Sequence, residues 1–154
     1  MNELERIEDQ LKRVHEGPAW HGPNLNDLLR DVTPLQATAK PIANTHSIWE
    51  LVYHIATWED AVTRRLLGEN PQVSDEENFP TITDISEEAW QKTLTRLGDV
   101  NKRLRETVLE INEARLDEPI MPIEGMSSTY RTLHGAVGHT LYHAGQIALL
   151  KKLC

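Results

Sequence analysis

Three histidines of this 154-residue chain are spaced to meet at one ion. His139 and His143 stand four residues apart in the helical run GHTLYHAGQIALLKK, and residues i and i+4 of a helix lie one above the other on a single face. His54 sits in the middle of a second helical run, SIWELVYHIATWEDAVTRRLL, on a stripe that reads Leu51, His54, Trp58 and Ala61 and so points toward a core. An imidazole from a packed neighbour would complete a three-nitrogen set suited to zinc, nickel or iron, with positions left open for water or substrate. The same side chains can also be hydrogen-bonded core or interface residues, because histidine pairs at this spacing are common. Spacing alone leaves both readings open.

The neighbours of these histidines add candidate roles. Gln146 shares a narrow stripe with His139 and His143, flanked by Ala136 and Leu150, and can orient a ligand or substrate or bridge two helices. Buried polar groups on such a stripe need partners, since an unpaired one costs on the order of a few kcal/mol. Glu50 lies one turn before His54 and is a candidate for proton transfer or for supporting a ligand. Ser47 and Glu50 also match a capping box, the role that the spacing favours. His15, His21 and His46 fall at helix ends or in loops, and His134 lies well around the helix from His139. There is no His-Glu-x-x-His, Glu-x-x-His or Cys-x-x-Cys motif, no Gly-x-Ser-x-Gly elbow and no phosphate-binding loop, so competing metal, hydrolase and nucleotide chemistries lack support.

Four long helices must position these groups. Apolar spacing predicts them over about residues 2–15, 47–67, 86–116 and 128–153, with short helical pieces around NLNDLLRD and after Thr33-Pro34. Residues 68–83 and 117–128 read as irregular connections. Gly135, Gly138 and Gly145 each cost about 1 kcal/mol relative to Ala inside a helix, which predicts close backbone approach to another element. The last helix is also apolar on opposite sides, with Leu133, Val137, Leu141 and Ile147 on one and Tyr142 and Leu149 on another. Such a helix is buried all round, which in a small bundle predicts a homodimer interface. The expected fold is all-α, an antiparallel four-helix bundle in a single domain over residues 1–154, with a topology that loop lengths do not fix.

Composition bounds the function. Hydrophobic residues make up 39% of the chain, enough for one core. Sixteen Lys and Arg against 24 Asp and Glu give a formal charge of −8, which disfavours nucleic acid and anionic membranes as partners. The single cysteine, Cys154, excludes an intrachain disulfide. The opening MNELERIEDQLKRVHEG is an amphipathic helical pattern rather than a signal peptide, and no apolar run is long enough to span a bilayer, so a cytoplasmic protein is expected.

HSIWELVYHIATWEDAVTRRLLGE and TLHGAVGHTLYHAGQIALLKK together resemble the second-helix motif and the closing His-x-x-x-His-x-x-Gln helix of the DinB-like superfamily (DinB and YfiT relatives). The resemblance extends over most of the chain. It implies a four-helix bundle, often dimeric, with a divalent ion, commonly nickel or zinc, on ligands that correspond to His54, His139 and His143. Ala144 departs from the pattern, since many relatives carry Arg there. Characterised relatives include thiol-dependent enzymes such as bacillithiol or mycothiol S-transferases and maleylpyruvate isomerase.

Two functional readings follow. In the first, the protein is a metal-dependent enzyme, a hydrolase or thiol S-transferase, in which the ion activates water or a low-molecular-weight thiol cosubstrate toward a small-molecule substrate. In the second, it is a non-enzymatic stress-response or binding module whose metal is structural or absent. An open coordination position discriminates them, because a structural zinc site is normally closed by four protein ligands.

Overall fold

The computed structural model describes residues 1–154 and is all-helical. Its elements are α1 (Glu3–Glu16), α2 (Leu25–Leu29), α3 (Pro34–Thr38), α4 (Ile48–Leu66), α5 (Asp75–Asn78), α6 (Glu87–Glu110), a 3-10 helix (Glu113–Asp117) and α7 (Thr129–Lys151). The four long helices α1, α4, α6 and α7 form the bundle, in which α4 packs most extensively on α6 and then on α7. No helix is long and apolar enough to cross a membrane.

Local chemistry sets the helix starts. Asn2, Thr33, Ser47 and Ser74 each accept a bond from the backbone N–H three residues on, while Glu5, Gln36, Glu50 and Glu77 reach back to the cap N–H. Helix α4 stops where Gly68 takes φ +87°; its N–H donates to Arg65 O, and that of Glu69 donates to Arg64 O. This pattern satisfies the last carbonyls at a residue that bears no Cβ penalty for positive φ.

The apolar residues gather at the two ends of the bundle. One cluster joins Ile48, Val52 and Ile55 of α4, Trp90 and Leu97 of α6, and Ile147 and Leu150 of α7. The other joins Leu4, Ile7 and Leu11 of α1, Val62 and Leu66 of α4, Leu104 and Val108 of α6, and Leu133 and Ala136 of α7. Helices α4 and α6 therefore run in the same direction, opposite to α1 and α7. Half the bundle runs each way, but its most extensive contact is between parallel neighbours. The segment from Leu67 to Ser86 must consequently return along the length of the bundle, and it passes the site as it does so.

Between the two clusters lies a polar layer. Glu59 of α4, Asn101 of α6, Thr140 of α7 and His15 of α1 are all at most 2% exposed. Glu59 Oε1 accepts from Thr140 Oγ1 at 3.0 Å and contacts His15 Nε2 at 2.7 Å, and its Oε2 accepts from Asn101 Nδ2 at 3.2 Å. Burial pushes the Glu59 carboxyl up, but His15, Thr140 and Asn101 together outweigh it and hold it below the usual carboxylate range. One residue from each long helix thus meets at one carboxylate.

Three expectations need correction. The third long helix ends at Glu110 rather than near Leu116, because Ile111 turns extended and Asn112 Oδ1 accepts from Ala114 N to start the 3-10 helix. The connection after Gly68 holds α5, started by a Ser-x-x-Glu box of the kind recognised at Ser47. The glycines of α7 admit no close approach within the chain, since a Cβ on Gly135, Gly138 or Gly145 would meet nothing within 4 Å.

Candidate metal centre

Helix α4 delivers His54 and α7 delivers His139 and His143 to one point. His139 Nε2 lies 3.0 Å from His54 Nε2 and 3.1 Å from His143 Nε2, and the ligating atoms of all three lie within 4.8 Å of one another. No cysteine or carboxylate joins this set. Two nitrogens at about 2.05 Å from a tetrahedral zinc ion would be about 3.3 Å apart, so these spacings suit a shared ion.

Hydrogen bonding decides which nitrogen faces inward. Asn78 Oδ1, at the end of α5, accepts from Trp58 Nε1 at 2.9 Å and contacts His54 Nδ1 at 2.7 Å. An indole N–H only donates, so this Asn78 atom is the carbonyl oxygen, and His54 Nδ1 must carry its proton. His143 Nδ1 likewise donates to Gln146 Oε1 at 2.6 Å. In their neutral forms, His54 and His143 therefore present bare Nε2 lone pairs to the cluster. His139 Nε2 can donate to only one of them, which leaves at least one contact as lone pair against lone pair. A cation among the three resolves that conflict, and carbonyl partners on the outer nitrogens are the usual means of orienting metal-bound imidazoles.

The protonation state agrees with this. Burial lowers the pKa of all three rings, and the neighbouring imidazoles lower those of His54 and His139 further, with His139 pushed down to about 4. The rings are neutral at neutral pH, as ligands must be. Phe79 stacks on the His54 ring at 4.3 Å with an interplanar angle of 5°, and its other neighbour is His46 at 3.6 Å. The segment after α4 thus clamps His54 by its ring face through Phe79 and by its edge through Asn78.

The structure separates the remaining candidates. Gln146 joins the site through His143. Glu50 serves the α4 cap, with Oε2 accepting from Ser47 N at 2.7 Å and Oε1 accepting from Lys40 Nζ at 2.9 Å. Burial pushes its carboxyl up, but the Ser47 N–H, Lys40 and His46 hold it below its ordinary value. Asn78, Phe79 and Trp58 were not read from the sequence as part of the site. His15 lies in the last turn of α1, as its place in the sequence indicates, and is buried there against Glu59, outside the three-histidine cluster. The signal for Asn78 was the Ser-x-x-Glu box at Ser74, which announces a short helix four residues before it.

Two cavities are lined by residues of the site or its partners. One, of about 250 Å³, is bordered by His46, Leu51, Gln146 and Leu149. The other is a groove of about 320 Å³ between α4 and α7 that has His139 on its wall.

The fold and the site together define a helical-bundle protein with a three-histidine cluster able to hold a metal ion. The sequence model of the DinB superfamily matches residues 18–147, and the chain belongs to that family. The resemblance carried by the two motifs is thereby confirmed. A crystal structure described as a conserved protein from Enterococcus faecalis is similar over 99% of this chain and 97% of its own, with a TM-score of 0.73 and 17% identity, a likeness of fold. No curated protein matches the chain.

Proposed function

We propose that this member of the DinB superfamily is a metal-dependent enzyme that binds a divalent ion, nickel or zinc, through His54, His139 and His143. The carrying observation is the convergence of three Nε2 atoms that no cysteine, carboxylate or fourth histidine joins, whereas structural zinc sites are closed by four. When bound, such an ion supplies Lewis-acid activation of water or of a low-molecular-weight thiol, giving hydrolysis or S-transfer on a small-molecule substrate. The chain's own residues prepare that chemistry. Asn78 and Gln146 keep the Nδ1 protons of His54 and His143 outward, Phe79 covers the His54 ring, and Glu59 stays engaged inside the bundle. Access runs along the groove between α4 and α7, where His139 is the ligand on the wall. A homodimer formed through the outer face of α7 belongs to the same reading.

The test is elemental analysis of the purified protein and of His143→Ala, followed by a screen of thiol cosubstrates against electrophiles on the metal-loaded form. One ion per chain in the wild type, lost in His143→Ala, is the expected result. Unchanged metal content in the variant sinks the ligand assignment. A metal-loaded protein whose ion has no exchangeable ligand position, read from the cobalt-substituted spectrum, sinks the enzymatic reading.

A further inference from the structure

We infer that the groove between α4 and α7 is a binding site for an oxyanion-bearing small molecule, held by Arg65 and Arg131. The chain is acidic, and ten of its sixteen cationic side chains are ion-paired with carboxylates. The six that are not are Lys12, Arg65, Arg96, Arg131, Lys151 and Lys152. Of these, Arg96 bonds Tyr53 O and Thr57, and Lys151 bonds Leu28 O. Arg65 and Arg131 share one cavity wall, that of the groove with His139. Arg65 Nε is buried with no hydrogen-bond partner, and its guanidinium sits 5.8 Å from the Trp58 ring centroid. Arg105 and Arg115 also have buried unbonded nitrogens, but each has a carboxylate beside it. Arg65 has none.

The groove itself is built to receive a ligand. Its apolar wall is Trp58, Val62 and Ala136, and Gly135 forms part of it at a position where a Cβ would enter open space. That glycine has no packing reason within the chain, and any larger side chain there would project into the groove. The carboxylate on the wall, Glu59, is 1% exposed and has both oxygens engaged within the bundle, so neither guanidinium is hydrogen-bonded to it. Two guanidinium forks match the geometry of a carboxylate or a phosphoryl group, and a small ligand so anchored against Trp58 would reach toward His139 with its other end. That last placement rests on the metal reading of the three histidines. The anion site does not.

The experiment is a nuclear magnetic resonance titration of ¹⁵N-labelled protein, metal-free and zinc-loaded, with sodium phenylacetate and separately with inorganic phosphate at constant ionic strength. Saturable shifts of the Gly135 and Thr132 amides and the Trp58 indole N–H are expected in the metal-free protein. Phenylacetate saturating alone identifies a carboxylate site, and phosphate alone a phosphoryl site. Arg65→Gln and Arg131→Gln should each weaken binding at least tenfold at unchanged zinc content, whereas Lys12→Gln should leave it intact. Gly135→Leu should block the groove with both guanidiniums retained, which keeps the test open if an arginine variant misfolds. Saturation by neither anion, or equal binding in the arginine and Gly135→Leu variants, overturns the proposal. Anion binding without zinc binding would instead overturn the metal reading alone.

Discussion

Asn78 Oδ1 lies 2.7 Å from His54 Nδ1, and the Trp58 indole N–H that shares this oxygen settles which imidazole nitrogen faces the other histidines. The outer partner of a metal-bound imidazole typically contributes about 10–100-fold to affinity. Asn78→Ala is therefore expected to weaken zinc binding by about that factor while leaving one ion per chain at saturation. Competition with a chromophoric chelator measures it. An affinity equal to that of the wild type would show that the ring is oriented by Phe79 and packing alone.

The three clustered histidines were legible in the sequence and their supports were not, for a physical reason. His54 on the Leu51–Ala61 stripe and the His139–His143 pair repeat with the helix period, so a wheel places them. Asn78 and Phe79 reach the site only because α4 and α6 run parallel, which forces the intervening segment back past His54. Periodicity carries no information about that path. The polar layer was hidden for a different reason: Asn101 occupies a core position between Leu97 and Leu104 that a reading for apolar residues passes over, and Glu59 looks like a surface residue until His15 is placed opposite it.

That layer makes a second prediction. Removing a hydrogen-bond partner of a buried carboxylate typically costs about 1–3 kcal/mol, and more when the group left behind is charged. His15→Ala should destabilise the fold by about that amount in urea unfolding, while Glu59→Gln, which removes the charge and keeps an amide able to bond Thr140 or Asn101, should cost less. A His15→Ala variant as stable as the wild type would mean that Asn101 and Thr140 alone satisfy Glu59.

The histidines predict the acid response. An imidazole in the unfolded chain takes up a proton near pH 6.5, whereas burial lowers the folded-state values of His54, His139 and His143, the second to about 4. Between those limits the unfolded state binds more protons, so stability is complete above the ordinary histidine range and falls as pH drops through the window. The metal-free protein should lose melting temperature steadily from about pH 6.5 downward, and bound metal should dissociate over the same range because only neutral imidazoles ligate. Thermal melts and metal retention after dialysis measure the two effects. A melting temperature flat from about pH 7 to about pH 5 would contradict the first.

The outer face of α7 carries the last prediction. Gly138, Tyr142, Gly145 and Leu149 recur every three or four residues and form one stripe along the helix, with Leu153 just past its end. Tyr142, Leu149 and Leu153 are 66%, 61% and 57% exposed, and a Cβ on either glycine would meet only open space. Inside the chain nothing exploits the approach that these glycines permit, which leaves the stripe open to a surface from outside. A second copy of α7 fits, because a twofold axis would set the large side chains of one stripe over the glycines of the other. Light scattering at micromolar concentration should give twice the chain mass of 17.6 kDa. Tyr142→Glu and Leu149→Asp should each shift the protein toward the monomer, since each would place a carboxylate in an apolar interface. Neither residue touches the groove of Arg65 and Arg131, so anion binding should survive the change. A monomeric wild type at that concentration would rule out the dimer and leave the stripe without an occupant.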